Sequence, residues 1–547
     1  MKKHKYILML GILVAAFSFS SCDSFLEEDP KDMKPSGEFW KTKADAESGV
    51  DALYFGGVPY LHNTDLGGGW TPKATMWPGV MSGLYIDKRK DRTFTTASEG
   101  GTFNIEAFDD AAFSMWHEFY KGISRANFVL ANVPKMTEVL TQAEIDNYVA
   151  QGKFFRAYGY FYLVKEFGNV PYISEPYTVP ENMYVEPTPA AELYKYIEQD
   201  LLDIVNGNAL PDATFYDNGC YVTKAMAETL LAQVYLQWAG APLNGGSEYY
   251  DKAAKMALRV ITGGKHHLEQ ASGSSDDLNS AFNVIKTTKS SAEIIYAKEY
   301  NYSDYSVGNS YACRSIGTDA FQWKDANNET VFHPAGDVLY NAYLPCDMIL
   351  KSYAPEDIRG HEKQFFFNEY TDATGVKHVL NNTGNWMWFD ETALKEGHDG
   401  DYNVPMMRYS EVLLIAAEGL ARTGHEANTE GGALYYLNQV RKRAGLPDET
   451  ATGDALIQSI LTERLHEFPL EFKVWDDIRR TRLYPEADGV NSGKLKWTPL
   501  ANAAIQNKPE GTVKVGALPE YVLLWAIPLD EMQRNPALKG HQNPGWN

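Results

Sequence analysis

The sequence predicts a mainly α-helical fold in which tetratricopeptide-like helical hairpins form a scaffold and an irregular, loop-rich region packs against it. Three observations predict it. Apolar residues recur three and four apart in segment after segment of both halves, the period of an amphipathic helix. Two pairs of these segments carry small residues where their helices would cross, and each ends its first helix on glycine, the device of stacked helical repeats. Between the pairs, residues 264–402 lose the helical period. A chain of 547 residues exceeds the ~250–300 residues at which a single core stops growing, so either two sub-regions or one elaborated helical array is expected.

The chain begins with a basic cluster, Met1-Lys2-Lys3-His4-Lys5. An apolar run from Ile7 to Phe17 follows, then Ser18-Phe19-Ser20-Ser21-Cys22. Basic head, apolar middle and small residues at the cut are the parts of a secretory signal. The apolar run is too short to span ~30 Å of hydrocarbon as a helix. Residues 1–21 are therefore expected to be a lipoprotein signal, with Cys22 as the lipidated residue and 22–42 as its tether. Each buried lipid CH₂ is worth ~0.8 kcal/mol, and two or more chains hold firmly.

A first helix is expected from Lys43 to Tyr54, opening an N-terminal helical part over 43–263. Residues 56–105 form a loop insertion, with Gly67-Gly68-Gly69-Trp70, Trp77-Pro78-Gly79 and Tyr85. Residues 109–132 carry Phe113, Trp116, Tyr120, Ile123 and Ala126 at helical spacing, and Pro134 ends that helix. Residues 142–167 place Phe154, Tyr158, Phe161, Tyr162 and Lys165 on one face. Gly168-Asn169 stops this helix, and Val170-Pro171-Tyr172 leaves it extended. Leu193, Ile197, Leu201 and Ile204 define another helix over 189–205.

The first hairpin pairs Thr223–Ala239, with Leu231, Ala232, Tyr235 and Leu236 before Gly240, with a face of Tyr250, Ala253, Ala254, Ala257, Val260 and Ile261. The second pairs Glu411–Ala421, with Ala416, Ala417 and Leu420 before Gly424, with Ala433, Leu434, Leu437, Val440 and Arg441. It belongs to a C-terminal helical part and tail, residues 403–547. Residues 264–402 are rich in Asn, Asp, Gly, Ser and aromatics, as in Tyr300-Asn301-Tyr302-Ser303-Asp304-Tyr305 and Asn385-Trp386-Met387-Trp388. So long a connection without a packed role is unusual. It is read as the irregular ligand-binding region set against the scaffold, since function concentrates in such segments.

The formal charge of −22 excludes a nucleic-acid binder, which needs a basic stripe. It also excludes electrostatic attachment to anionic headgroups, so membrane contact is expected through the lipid anchor only. Cys220, Cys313 and Cys346 have no CxxC spacing. They indicate neither a zinc site nor a disulfide framework, and buried free thiols are expected. The chain holds 34 Tyr, 25 Phe and 12 Trp. Much of this must be core; a surplus in loops suits stacking on sugar rings or anchoring at interfaces.

Catalytic motifs are missing: there is no G-x-S-x-G, H-E-x-x-H, G-x-x-x-x-G-K-[ST] or G-x-G-x-x-G. Asp399-Gly400-Asp401-Tyr402-Asn403 resembles the start of a calcium loop. Val404 stands where that loop needs Gly, and Ser410 where it needs Glu, so the segment reads as a polar turn. No catalytic residue, metal or cofactor is expected. Glu463, Arg464, Glu467, Glu471, Asp477, Arg479 and Arg480 form a dense charged run. With Ile457, Ile460, Leu461, Leu465 and Phe468 interleaved, the run reads as one amphipathic helix locked to its neighbours by ion pairs.

These segments together resemble the SusD/RagB family of outer-membrane nutrient-binding lipoproteins. The resemblance runs through Cys22-Asp23-Ser24-Phe25-Leu26-x-x-x-Pro30 and Arg156-Ala157-Tyr158-x-Tyr160-Phe161-x-Leu163-Val164-x-x-Phe167-Gly168-Asn169-Val170-Pro171-Tyr172. It continues through Arg408 to Glu418, Leu437-Asn438-x-Val440-Arg441-x-Arg443-Ala444-Gly445-Leu446, Glu463-Arg464-x-x-Glu467-Phe468 and Trp475-x-Asp477-Ile478-x-Arg480. Ile527-Pro528, Asn535-Pro536 and Gln542-Asn543-Pro544-Gly545-Trp546 close it. Phe472 and Val474 depart from the pattern, which usually has Gly and Arg there, and this puts the local packing in question.

The resemblance implies a lid-like lipoprotein at the outer face of the outer membrane. Its partner would be a SusC-type TonB-dependent transporter, to which it delivers captured glycan without cutting it. The family's ligand residues vary, so none carries over by motif. Loop context and stacking on the order of 0.5–1.5 kcal/mol per contact nominate Trp70, Trp77, Tyr85, Tyr302, Tyr305 and Trp323, with Trp386 and Trp388 in reserve. A peptide-capturing RagB-like protein and a surface glycoside hydrolase are the alternatives.

Overall fold

The computed structural model describes residues 39–59, 79, 82–86, 105–177, 183–270, 280–335, 343–503 and 520–546. The signal, Cys22, Trp70 and Trp77 lie outside them. Helix α1 (Lys43–Asp51) begins at a capping box, in which the Thr42 and Asp45 side chains each take the other's backbone N–H. Helices α2 (Ile105–Asn132) and α3 (Gln142–Phe167) pack as a hairpin, and α4 (Ala190–Val205) lies against α3. Gly168 ends α3 at φ +73°, where a side chain would be strained. Val170–Pro171 then pairs antiparallel with Pro187–Thr188. The aromatic face expected on α3 is wider than predicted: Phe155, Tyr160, Leu163 and Val164 are buried along with Phe154, Tyr158 and Phe161, because α3 is covered by neighbours on several sides.

Helices α5 (Lys224–Ala239) and α6 (Ser247–Gly263) form the first predicted hairpin. After α7 (Ala281–Thr287), the second is formed by α8 (Tyr409–Arg422) and α9 (Ala433–Arg443). The two hairpins stack directly, α8 lying against α6. Small residues permit the approach. A Cβ on Gly419 would stand 2.5 Å from the Tyr250 carbonyl oxygen and 2.9 Å from the Ala254 Cβ. Leu413, Leu414, Ala416 and Ala417 of α8 are fully buried there. Each leucine so buried is worth roughly 1.5–3 kcal/mol.

The charged run is two helices, not one. α10 (Gly453–Glu467) stops before Pro469, and α11 (Val474–Thr481) restarts the chain in a new direction. Proline has no N–H to donate and disfavours helical backbone at the residue before it. Phe472 in the connection has φ +62°, the conformation in which glycine is normally required. Its ring nevertheless packs near Tyr343, Trp388 and Tyr311 at 5.7–6.1 Å, so packing retains a phenylalanine where backbone strain opposes it. Phe472→Gly and Phe472→Ala both lose the ring. Urea unfolding is expected to leave the glycine variant about 1 kcal/mol the more stable; equal stability would place no strain at this residue.

The charges of this run are buried and paired, as expected. Arg480 makes a two-pronged contact with Glu418 of α8, 2.6 Å at each oxygen, and Arg479 does the same with Glu166 of α3 at 2.7 and 2.9 Å. Arg464 reaches Asp477 at 2.8 Å, and Lys165 reaches Asp476 at 2.6 Å. A second cluster joins Arg359, Arg408 and Arg443 to Glu293, Glu463, Glu467 and Glu471. Burial raises the Glu418 carboxyl, but Arg480, Arg422 and Arg464 together outweigh it and bring its pKa to about 2. Glu467 and Asp476 are lowered by the same balance. Glu463 and Glu471 are raised, burial winning over their arginines. The depressed groups contribute stability that is complete above the unfolded carboxylate pKa of ~4 and is lost as pH falls through the folded value near 2. Stability is therefore expected to drop steeply between about pH 4.5 and 2. A flat pH dependence in denaturant melts would contradict this.

The 264–402 region has its own framework. Strand β1 (Ile294–Lys298) pairs antiparallel with β4 (Val404–Arg408), so the region is sewn to the chain entering α8. Between them, β2 (Phe366–Thr371) and β3 (Lys377–Asn385) form a hairpin. A small second core lies under it, built from Phe332, Phe367, Tyr370, Leu380, Trp386 and Phe389 among others. A last hairpin, β5 (Leu483–Ala487) with β6 (Leu495–Pro499), packs beside α10 and α11. Cys220, Cys313 and Cys346 are free thiols, the last two buried.

Candidate functional site

Residues 300–309 and 398–403 form a surface platform. Asn309 and Gly400 exchange backbone hydrogen bonds of 2.8 Å, which zips the two loops together. The acidic turn then clamps the first loop. The Tyr302 N–H donates to the Asp401 carboxylate at 2.7 Å, and the Tyr300 N–H to the Asn403 side-chain oxygen at 3.0 Å. Lys289 closes the clamp, donating to the Tyr300 carbonyl at 2.8 Å and lying 3.4 Å from Asp401. Asp401 and Asn403 thus hold the backbone of the other loop. Among the described residues, no group of three or more metal-ligating side chains is found.

This clamp presents a single helical turn, Tyr302–Tyr305. The Asn301 side chain caps it by accepting the Asp304 N–H at 3.0 Å, and Ser306 ends it at φ +54°. Tyr302 is half-buried, with its ring stacked on His398 at 4.0 Å and 11°. Tyr305 is 75% exposed. Gly308 fits beneath: a Cβ there would lie 2.9 Å from the Tyr302 ring and 2.5 Å from the Asp399 Cβ. Flat rings with amide and carboxylate groups beside them suit a ligand that has apolar faces and hydrogen-bonding edges.

The other nominated rings fare differently. Tyr85 is fully buried, stacked on Tyr343 at 4.0 Å with its hydroxyl on the Pro469 carbonyl. It is a core residue, because Tyr85–Ile86 pairs with Leu344–Pro345 and draws the ring inward. Trp323 is half-buried. It stacks on His378 at 4.7 Å, and His378 is in turn held by Asp372 at 2.8 Å. The ring therefore rests on the second core, on a support separate from the Tyr302 platform. Trp386 and Trp388 are both 8% exposed. The Trp386 Nε1–H donates to Asn283 at 2.7 Å, and Trp388 packs against Tyr311 and Tyr343. The reserve pair is core as well. Their spacing resembled that of a loop, and only tertiary packing shows that the second core encloses Trp386 and the main core Trp388.

Sequence reasoning missed His398 as the support of Tyr302 and Lys289 as part of the clamp, since both act across long sequence separations. It also missed a second aromatic surface. Tyr172 stacks on Tyr196 at 4.1 Å, and Tyr177, Met183 and Tyr184 stand exposed beside a groove lined by Trp116, Tyr120 and Arg534. The exit after Gly168-Asn169 was the one local signal there.

The fold and platform define a helical-repeat scaffold that carries an aromatic surface on loops. A model described as the SusD family matches residues 292–546, and a SusD-like model described as starch-binding and associating with the outer membrane matches residues 52–236. SusD-like protein P2 of Formosa agariphila is 26% identical over 510 residues, covering 90% of this chain and 93% of that protein. A SusD superfamily crystal structure from Parabacteroides distasonis superposes with a TM-score of 0.73 at 24% identity, over 92% of this chain and 99% of that one. Surface glycan-binding protein A of Bacteroides thetaiotaomicron, solved in complex with laminarihexaose, gives a TM-score of 0.66 at 20% identity, over 92% and 100%. The chain belongs to the SusD/RagB family. Among its described residues, no helix is long and apolar enough to cross a membrane.

Proposed function

We propose that this chain is a cell-surface glycan-binding lipoprotein. It is held at the outer membrane by lipid on Cys22, captures oligo- or polysaccharide, and passes it uncut to a SusC-type TonB-dependent transporter. The Tyr302–Tyr305 platform is the observation that carries the reading. Its exposed ring and the neighbouring Asn301 and Asp304 offer what a sugar needs: a surface for its C–H face and partners for its hydroxyls. A relative of the same fold was solved with laminarihexaose, which makes β-glucans the first ligands to try. Trp323, on its separate support, and Trp70 and Trp77 of the 56–105 insertion are kept as further candidate stacking rings. The acidic chain, formally −22, has little electrostatic attraction to anionic headgroups, so attachment is assigned to the lipid.

Calorimetric titration with an oligosaccharide panel and with oligopeptides tests the ligand class. Binding to sugars alone is expected, and binding to peptides alone would favour the RagB-like alternative. Cys22→Ala should leave sugar affinity unchanged and release the protein from the membrane fraction. Loss of affinity instead would overturn this division of labour.

A further inference from the structure

Lys286 has no role in the platform, and its surroundings are unusual for a lysine. It lies in the last turn of α7, with its ammonium nitrogen 4.1 Å from the Trp386 ring centroid, 5.2 Å from Tyr402 and 5.7 Å from Phe389. Among the described residues, no oxygen accepts a hydrogen bond from it and no carboxylate pairs with it. The side chain lines a pocket walled by Tyr311, Trp388 and Tyr402, with Glu471 on its border. Two of the carboxylates around it are committed elsewhere, while Glu471 keeps one oxygen without a hydrogen-bond partner among the described residues. Asp390 accepts the backbone N–H groups of Ala393 and Asp401, and Glu391 is bonded to Lys395 and Tyr370. Glu471 is bonded to Arg408 through one oxygen. A second cation, Lys363, sits 5.7 Å from the same Trp386 ring.

We infer that Lys286 is a nucleophilic lysine placed to condense with the aldehyde of a small carbonyl compound, including the open-chain end of a reducing sugar. The amine lone pair adds to the aldehyde carbon and forms the C–N bond. The carbonyl oxygen then leaves as water, carrying both hydrogens of the amine, and an imine remains. The amine is available because burial outweighs the pull of Asp390 and Glu391 and brings its pKa to about 7. A surface lysine near ~10.4 has a free-amine fraction on the order of 10³-fold smaller at neutral pH. Desolvation of this kind is a recognised way to activate a lysine.

The test uses the full-length protein, glycolaldehyde and cyanoborohydride, with modified peptides mapped by mass spectrometry. Lys286 should be reduced to its alkylated form at least about tenfold faster than exposed Lys255, with a half-maximal rate near pH 7. A parallel reaction with glucose separates the sources: labelling by both probes assigns the site to reducing sugars, and labelling by glycolaldehyde alone assigns it to small aldehydes. Lys286→Arg keeps the cation over Trp386 and should abolish labelling at this position while leaving Lys255 labelling unchanged. An unmodified Lys286 in the folded wild-type protein, or one labelled at the Lys255 rate with a profile still rising toward pH 10, overturns the inference. Neither depends on a variant folding.

Discussion

Replacing Arg408 with methionine is expected to lower the free energy of unfolding by about 3–5 kcal/mol. Arg408 is 2% exposed, at the junction of β4 and α8. Its guanidinium reaches Glu293 at 2.7 Å, Glu467 at 2.9 Å and Glu471 at 2.6 Å, and it donates to the Glu467 carbonyl at 3.0 Å. Methionine fills much of the same volume, so the cavity term is small. What remains is a buried cluster of carboxylates with one fewer cation, and an uncompensated buried charge is the costly case. Glu471 is already raised by burial; without Arg408 it rises further. The variant should therefore be destabilised more at pH 8 than at pH 5, because protonation relieves the unpaired Glu471 charge as pH falls. Urea titration at pH 5 and pH 8 measures both effects. A change under about 1 kcal/mol at both would show that Arg443 and Arg359 suffice without it.

The paired variant Tyr302→Ala/Tyr305→Ala is expected to weaken glycan binding roughly 10–100-fold while leaving thermal stability near wild type. Each ring contact contributes on the order of 0.5–1.5 kcal/mol, and each 1.4 kcal/mol is about tenfold in affinity. Tyr305 is exposed, and the stacking of Tyr302 on His398 lies at the surface of a short loop, so little of the core is disturbed. Gly308→Ala approaches the same result differently. Its methyl would collide with the Tyr302 ring and the Asp399 side chain, tilting the platform without removing a ring. Tyr85→Phe is the control, since it removes a buried hydroxyl; it should cost stability and leave affinity alone. Unchanged affinity in both platform variants would move the ligand to Trp323 and the 56–105 insertion.

Local patterns carried much of this chain. Helix α3 runs from Gln142 to Phe167, the span expected from its period and its following Gly168; the structure adds a capping box of Thr141 with Glu144. The two hairpins were legible because small residues at a crossing leave a mark at fixed spacing. The departure at Phe472 was legible as well, as an anomaly, and it coincides with a left-handed backbone. The break between α10 and α11 was missed. Pro469 signalled it, but the continuing charge pattern on both sides obscured the stop. The polar segment Asp399–Asn403 was read as a turn; in the structure Gly400 bridges to Asn309, and what Asp401 and Asn403 hold lies about a hundred residues earlier in the chain.

The sequence by itself determined the helical class, the hairpin scaffold, the family, and the segment in which an aromatic platform stands. These follow from period, capping and ordered motifs, all of which act over a few residues. Which rings face outward was decided only by the tertiary structure. Tyr85, Trp386 and Trp388 share the loop context of Tyr302 and Tyr305, but β-pairing and the two cores enclose the first three, while a clamp of Asp401, Asn403 and Lys289 holds the others at the surface. Exposure depends on contacts between residues far apart in the chain, and no local pattern encodes it.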